Sequence, residues 1–184
     1  MSLLSSVFLW ASVSTSAMLA VIIAFRLENG SRATGEKTLG FSMILLFEVP
    51  RFVMPFLSQP RLGILRAVTL PLGLAVFSVA MGFAGLAALR LGSRVADAPS
   101  EDEELQTSGV YGLVRHPVYF GDAFWPVGWS LIFGATYSLA FAPLWFALLL
   151  VQSFVEEEKL VDEYGEAYER YREDVPYRII PKVI

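Results

Sequence analysis

From Leu3 to Phe25 the chain runs for 23 residues without a charged side chain and meets its first charge at Arg26. About 20 apolar residues in a helix cross the hydrocarbon core of a bilayer, so this stretch is long enough to span. No basic segment precedes it, and it exceeds the apolar core of a cleaved signal peptide, so it reads as an anchor that stays. Four more stretches follow. Residues 38–57 are apolar except for Glu48 and Arg51, and contain Pro50 and Pro55. Residues 67–89 are uninterrupted and rich in small side chains, with Gly82 and Gly85 suited to close helix approach. Residues 118–135 and 137–154 form two further spans joined at Gly134 to Thr136. The expected fold is therefore all-α: an integral membrane helical bundle of about five transmembrane helices, followed by a helical extension at the C-terminus.

Composition agrees. The chain is 55% hydrophobic and 17% charged, against about 45–50% and about 25% in ordinary globular proteins. Disorder and nucleic-acid binding are therefore poor readings. With no cysteine there is no disulfide framework, thiolate metal site or cysteine nucleophile. No strand pattern precedes a Gly-x-Gly-x-x-Gly, so a soluble dinucleotide-fold enzyme is excluded as an architecture.

Five spans sort the basic residues into two groups. Arg61 and Arg66 fall at one membrane face; Arg26, Arg32, Lys37, Arg90, Arg94, Arg115, Lys159, Arg170, Arg172, Arg178 and Lys182 fall at the other. Lys and Arg favour the cytosolic side, which predicts an external N-terminus and a cytosolic C-terminus. The host membrane would be a prokaryotic inner membrane or the endoplasmic reticulum. The acidic segment from Ser93 to Ser108 reads as a solvated loop.

Two motifs share the basic face. In the first, Gly109 to Asp122, Pro117 disfavours helix at His116 and suits the first turn of the helix after it, so Arg115 and His116 stand at a loop-to-span junction. Such helix starts suit an anionic group. His116 is the only histidine, and one imidazole makes no metal site, so no metal is expected. The second motif begins with Glu156, Glu157 and Glu158 as the last span ends; Leu160, Tyr164, Tyr168 and Tyr171 then recur at helical spacing, predicting that the span continues as one amphipathic helix. Glu158, Glu163, Glu166 and Glu169 read as its wet face, whereas Glu156 and Glu157 need a cationic or hydroxyl-rich partner. Within the second span, Glu48 reads either as a base or as the salt-bridge partner of Arg51 one turn away, and pairing is the simpler reading. Trp125 and Trp129 read as span packing near the interface.

Arg115-His116-Pro117-x-Tyr119-x-Gly121, then Glu156-Glu157, Tyr164-Gly165-x-x-Tyr168-x-x-Tyr171, Val175-Pro176 and Ile180-Pro181 resemble the isoprenylcysteine carboxyl methyltransferase family and its phospholipid methyltransferase relatives. The resemblance covers residue 109 to the end and makes 109–184 the cofactor-binding part of a single domain, 1–184. It implies an integral membrane methyltransferase using S-adenosylmethionine, acting on a lipophilic or lipidated acceptor such as a prenylcysteine carboxylate or a phospholipid, among membrane lipids and without nucleic acid. It also implies roles. Glu156 and Arg115 would be catalytic; His116, Pro117, Tyr119, Gly121, Glu156, Glu157, Tyr164 and Tyr168 would bind the cofactor. Glu156 and Glu157 suit ribose hydroxyls, Tyr119 or Tyr164 the adenine, and His116 or the helix start behind Pro117 a carboxylate. The family's arginine a turn before the acidic pair is missing; Val151 and Gln152 stand there.

A second resemblance joins Gly121-Asp122, Tyr164-Gly165 and Val175-Pro-Tyr-Arg-Ile-Ile-Pro181 to the C-terminal half of sterol reductases, which bind NADPH in a related pocket but are much longer. It stands second to the methyltransferase reading. A membrane scaffold with a degenerate site is the nonenzymatic alternative.

Overall fold

The computed structural model describes residues 6–27, 34–91 and 105–184. Six helices carry them: α1 (Val7–Leu27), α2 (Thr34–Val53), α3 (Arg66–Leu91), α4 (Pro117–Phe133), α5 (Thr136–Tyr164) and α6 (Glu166–Asp174). Short 3₁₀ turns lie at Met54–Phe56 and Gly109–Gly112. Among the described residues there is no strand, and the protein is an all-α membrane bundle. α1, α3 and α5 are each long and apolar enough to cross a bilayer. The 17 residues of α4 reach about 25 Å at 1.5 Å per residue, and α2 carries Glu48 and Arg51 into the bundle. Most of the acidic segment expected as a loop lies outside the described residues.

The core lies where α1, α2, α4 and α5 meet: Val7, Ala11, Met18, Phe47, Met54, Ala123, Trp145 and Leu149 are buried there together. Ser14 of α1 donates its hydroxyl to the Phe47 carbonyl of α2 at 2.9 Å, the same oxygen that accepts from Arg51 Nε at 3.2 Å. α3 stands outside this core and packs on α4, while Leu72, Leu74, Val79, Met81, Leu86 and Leu89 on its other faces are exposed. Uncovered leucines of that kind suit lipid, which is as apolar as they are.

The α3–α4 seam corrects one expectation. Gly82 and Gly85, read as the close-approach residues, face open space. The approach occurs instead at Gly73 and Gly128. A Cβ added to Gly128 would fall 2.5 Å from the Phe77 backbone nitrogen and 2.8 Å from the Gly73 carbonyl. The physical reason is helical phase: Gly73, Phe77, Ala80, Ala84 and Ala87 repeat at three and four residues and make one stripe, from which Gly82 and Gly85 are rotated away.

The two ends of the bundle differ. At one end, the segment after α2 clasps the α4–α5 turn: Leu62 N–H donates to the Gly134 carbonyl at 2.8 Å, Thr136 N–H to Pro60 at 3.2 Å, and Arg61 to the carbonyls of Pro55 and Phe133, each at 3.1 Å. Gly134 has φ 63°, the left-handed conformation that ends α4. At the other end the C-terminal tail returns to the start of α4, where Arg115 N–H donates to the Tyr177 carbonyl at 2.9 Å and His116 N–H to Arg178 at 2.8 Å. Arg61 and the Gly134 turn thus share one end, while Arg115, Lys159 and Arg178 share the other, as the charge sorting predicts.

α5 has 29 residues, about 44 Å, and outruns a hydrocarbon core of about 30 Å, so its last turns project beyond the apolar slab. It does not continue through Tyr171. Gly165 takes φ 53° and ψ −128°, breaks the helix and starts α6 in a new direction. The break turns Tyr168 and Tyr171 inward against Leu105, Leu160, Val161 and Val175. The periodicity across Gly165 was that of two helices sharing one apolar cluster.

Replacing Gly128 by Ala should lower the melting temperature in detergent, at a cost on the order of 1–3 kcal/mol, because both obstructing atoms are backbone. The same change at Gly82 should be neutral or slightly stabilising.

Candidate functional site

The junction before α4, the end of α5 and the tail converge on one carboxylate. Glu157, 4% exposed, receives Arg115 Nε at 2.8 Å, Arg178 Nε at 3.0 Å and His116 Nε2 at 3.1 Å on Oε1. Arg178 Nη2 reaches Oε2 at 2.6 Å. Arg115 also donates through Nη1 to the Val175 carbonyl at 2.7 Å, and Arg178 lies over the Phe154 ring at 3.6 Å. Each element has a local cause. Pro117 starts α4 and leaves His116 non-helical at φ −121°, ψ 65°; Pro176 follows the last residues of α6 and turns the tail back. Three cationic groups around one buried acid satisfy both of its oxygens.

Glu156 sits about 100° round α5 from Glu157 and meets a different setting. Its Oε2 is 3.4 Å from His116 Nδ1, without the alignment of a hydrogen bond, and its side chain is 28% exposed. The Tyr119 hydroxyl interacts with both Glu156 and Gln152, and the Tyr119 ring stacks on His116 with centroids 5.2 Å apart and planes 3° from parallel. Among the described residues, Trp145 Nε1, Gln152 Oε1, Glu156 Oε2 and Tyr168 Oη are buried without a hydrogen-bond partner. Trp145, Gln152 and Glu156 are spaced seven and four apart, so three of these four atoms come from one face of α5. Buried polar atoms are nearly always paired, and a row of orphans on one helix face points to a ligand that supplies the partners.

Burial disfavours a charge on His116, but its contacts with the negatively charged Glu156 and Glu157 outweigh it and raise its pKa above the ordinary histidine value. Burial raises the Tyr168 and Tyr171 hydroxyls well above the ordinary tyrosine range, with further upward pressure from the Glu157 charge, so both are neutral donors. Tyr171 spends its proton on the Tyr111 carbonyl at 2.8 Å.

Of the residues singled out from the sequence, Arg115, His116, Pro117, Tyr119, Glu156, Glu157 and Tyr168 are brought together here. Gly121 and Tyr164 are not. Gly121 faces α3, where an added Cβ would lie 2.6 Å from the Ala84 Cβ; Tyr164 belongs to the tyrosine cluster under α6. Gln152 and Trp145 were missed as members of the site, although Gln152 lies a single helical turn before Glu156. Arg178 stood out in the sequence only as one of the residues of the basic face and as part of the tail motif. Trp125 is more than span packing, because its indole N–H donates to Glu48 at 3.2 Å and to Asp122 at 3.3 Å.

Residues 98–184 match the model of the Ergosterol biosynthesis ERG4/ERG24 family, a family of sterol reductases. A Delta(14)-sterol reductase of Mus musculus is 43% identical over 82 residues, 44% of this chain and 20% of that protein. A Protein-S-isoprenylcysteine O-methyltransferase of Schizosaccharomyces pombe is 38% identical over 87 residues, 45% of this chain and 35% of that protein. A 7-dehydrocholesterol reductase of Danio rerio is 32% identical over 90 residues, 48% of this chain and 19% of that protein. The chain thus spans between about a fifth and a third of the length of these relatives. No solved structure matches it significantly.

These similarities correct the expectation of an S-adenosylmethionine-dependent methyltransferase: the matching family model is of sterol reductases, and sterol reductases predominate among the relatives. The geometry explains the error. Arg115, His116, Glu157, Val175 and Arg178 are bonded to one another, so the motif that carried the methyltransferase resemblance is mainly the fastening of the tail to α4 and α5. Such a fastening serves either chemistry and does not report the cofactor.

Replacing Glu157 by Ala strands three cationic groups, and should cost about 3–5 kcal/mol, read as a lower melting temperature in detergent. His116 has a higher pKa folded than unfolded, so its contribution to stability is complete below the ordinary value of about 6.5 and is lost as pH rises through the raised native value. The melting temperature of the wild type should fall across that interval, and His116→Gln should flatten the fall.

Proposed function

We propose that this integral membrane protein is a reductase that uses NADPH to reduce a carbon–carbon double bond in a sterol-like lipid. The observation that carries the proposal is a coincidence of place. The stretch similar to sterol reductases, 98–184, is the stretch that folds into the cluster around Glu157 and the row of orphaned atoms on α5. The carboxylate of Glu156 and the Gln152 carbonyl oxygen fit hydroxyl and carboxamide donors of a dinucleotide. Arg115, Arg178 and a protonated His116 carry more positive charge than Glu156 and Glu157 neutralise, which fits a pyrophosphate. Tyr119, stacked on His116, offers an aromatic face to a ring. When bound, the reduced nicotinamide supplies hydride.

In this reading Glu156, Gln152, His116, Tyr119 and Tyr168 contact the cofactor, while Glu157 acts as a positioning residue that aims Arg115, His116 and Arg178. Residues 109–184 form the cofactor part of one domain, and α1 to α3 complete the wall toward the lipid. The basic end of the bundle faces the cytosol, where NADPH is plentiful, in a prokaryotic inner membrane or the endoplasmic reticulum. A lipophilic substrate reaches the bundle from the surrounding lipid.

Purified protein in nanodiscs should bind NADPH and oxidise it in the presence of a sterol with a reducible ring double bond. Binding of S-adenosylmethionine in place of NADPH, or of neither, would overturn the proposal. Glu156→Gln should weaken NADPH about 10- to 100-fold, the scale of one hydrogen bond to a charged group, with the melting temperature little changed.

A further inference from the structure

Below the junction, α2 and α4 share a second buried polar cluster that the dinucleotide does not account for. Arg51, with a fully buried side chain, donates from one terminal nitrogen to Glu48 and to Asp122, the latter at 2.5 Å. Its other terminal nitrogen reaches the Asp122 carbonyl at 3.1 Å, its Nε the Phe47 carbonyl at 3.2 Å, and its plane lies 3.5 Å from the Phe47 ring centroid. Trp125 donates one N–H to both carboxylates. Glu48 is therefore paired with Arg51, as the sequence suggests, but Asp122 competes for the same guanidinium.

Charge arithmetic then decides the state of the cluster. One guanidinium faces two carboxylates, which meet on a single nitrogen and a single indole N–H. Two like charges meeting on one guanidinium nitrogen repel each other, and no second cation stands beside them among the described residues to offset that repulsion. Paired carboxylates of other enzymes relieve such repulsion by holding one proton between them. Arg51 holds both acids in place, while the Glu48 side chain remains 31% exposed between the exposed Leu45, Val49 and Phe52, on a surface turned outward toward lipid.

A second observation ties this cluster to the candidate site. Trp145, 2% exposed and with an unpartnered indole N–H, lies 5.9 Å from the Arg51 guanidinium and on the α5 face that carries Gln152 and Glu156. Tyr119 stands three residues before Asp122 on α4 and interacts with Glu156. A polar seam thus runs from the junction into the bilayer and ends at Glu48.

We propose that Glu48 and Asp122 share one proton inside the membrane and that Glu48 delivers it to the lipid substrate, a role that rests on the reductase reading. The Glu48 O–H bond breaks and a C–H bond forms at one alkene carbon; hydride from the reduced dinucleotide completes the other. The alkene is reduced, the dinucleotide oxidised, and the Glu48 carboxylate regains a proton from water before the next turnover. Arg51 and Trp125 are positioning residues.

The test is infrared spectroscopy of the protein in nanodiscs at neutral pH, joined to turnover of NADPH with a sterol. The wild type should show a protonated-carboxyl band that disappears in both Glu48→Gln and Asp122→Asn, since removing either acid leaves one carboxylate for one guanidinium. Glu48→Gln should also lose about 10²- to 10⁴-fold in turnover with NADPH affinity unchanged, the range of a general acid. A wild type without the band overturns the shared proton, and full turnover in Glu48→Gln overturns the acid role. A band in a protein that binds no NADPH overturns the reductase reading and the acid role with it, yet leaves the shared proton standing.

Discussion

The arrangement of the basic end depends on the Glu157 carboxylate. Carried by α5, it is met by Arg115 and His116 from the junction before α4 and by Arg178 from the returning tail. A buried ion cluster of this kind adds little net stability compared with a well-packed apolar core, because desolvation offsets most of the attraction. What it supplies is direction. A guanidinium donates in fixed directions, so two arginines and an imidazole on one carboxylate fix how three segments approach, which apolar contacts alone do not.

From that point the polar groups follow α5 inward. Trp145, Gln152 and Glu156 share a face and each leaves a buried atom without a hydrogen-bond partner, whereas Glu157, one residue on, has both oxygens hydrogen-bonded. The contrast separates a group that organises the structure from groups with capacity to spare. Unpaired acceptors and donors in an apolar setting are costly to leave unmade, so the ordered row on α5 is the part of the molecule with most to gain from a ligand. The Glu48–Arg51–Asp122 cluster at the seam's inner end makes the same distinction by charge: its hydrogen bonds are largely made, but its charges do not balance.

The seam joins two parts of the chain with different histories in the comparisons. Residues 98–184 resemble sterol reductases, and they carry the junction, α4, α5, α6 and the tail. Arg51 and Glu48 lie outside that match, on α2, yet the Arg51 side chain is fully buried. A methyltransferase and several sterol reductases are each similar to nearly half of this chain. Chemistry-specific information has to come from side chains facing the ligand, and the departure at Gln152 was a sign of this.

The apolar runs by themselves determined an α-helical bundle in a membrane, since a backbone in hydrocarbon must bond within its own segment. The sequence also determined the start of α4 at Pro117, because proline removes the N–H that a helix start does not use, and the sorting of basic residues to one end. Tertiary structure alone decided the rest. Gly82 and Gly73 are equally glycine in sequence, and only the rotation of α3 against α4 tells which is crowded. Glu156 and Glu157 are adjacent and identical in type, and only the 100° step between them puts one among three cations and the other beside an unfilled row. Asp122 lies 71 residues from Arg51, so their ion pair, and the charge imbalance it creates, exists only once α2 and α4 are packed together. Periodicity records which residues share a face of one helix; which face meets which neighbour is set by packing between helices, and the chemistry of the site lies in those meetings.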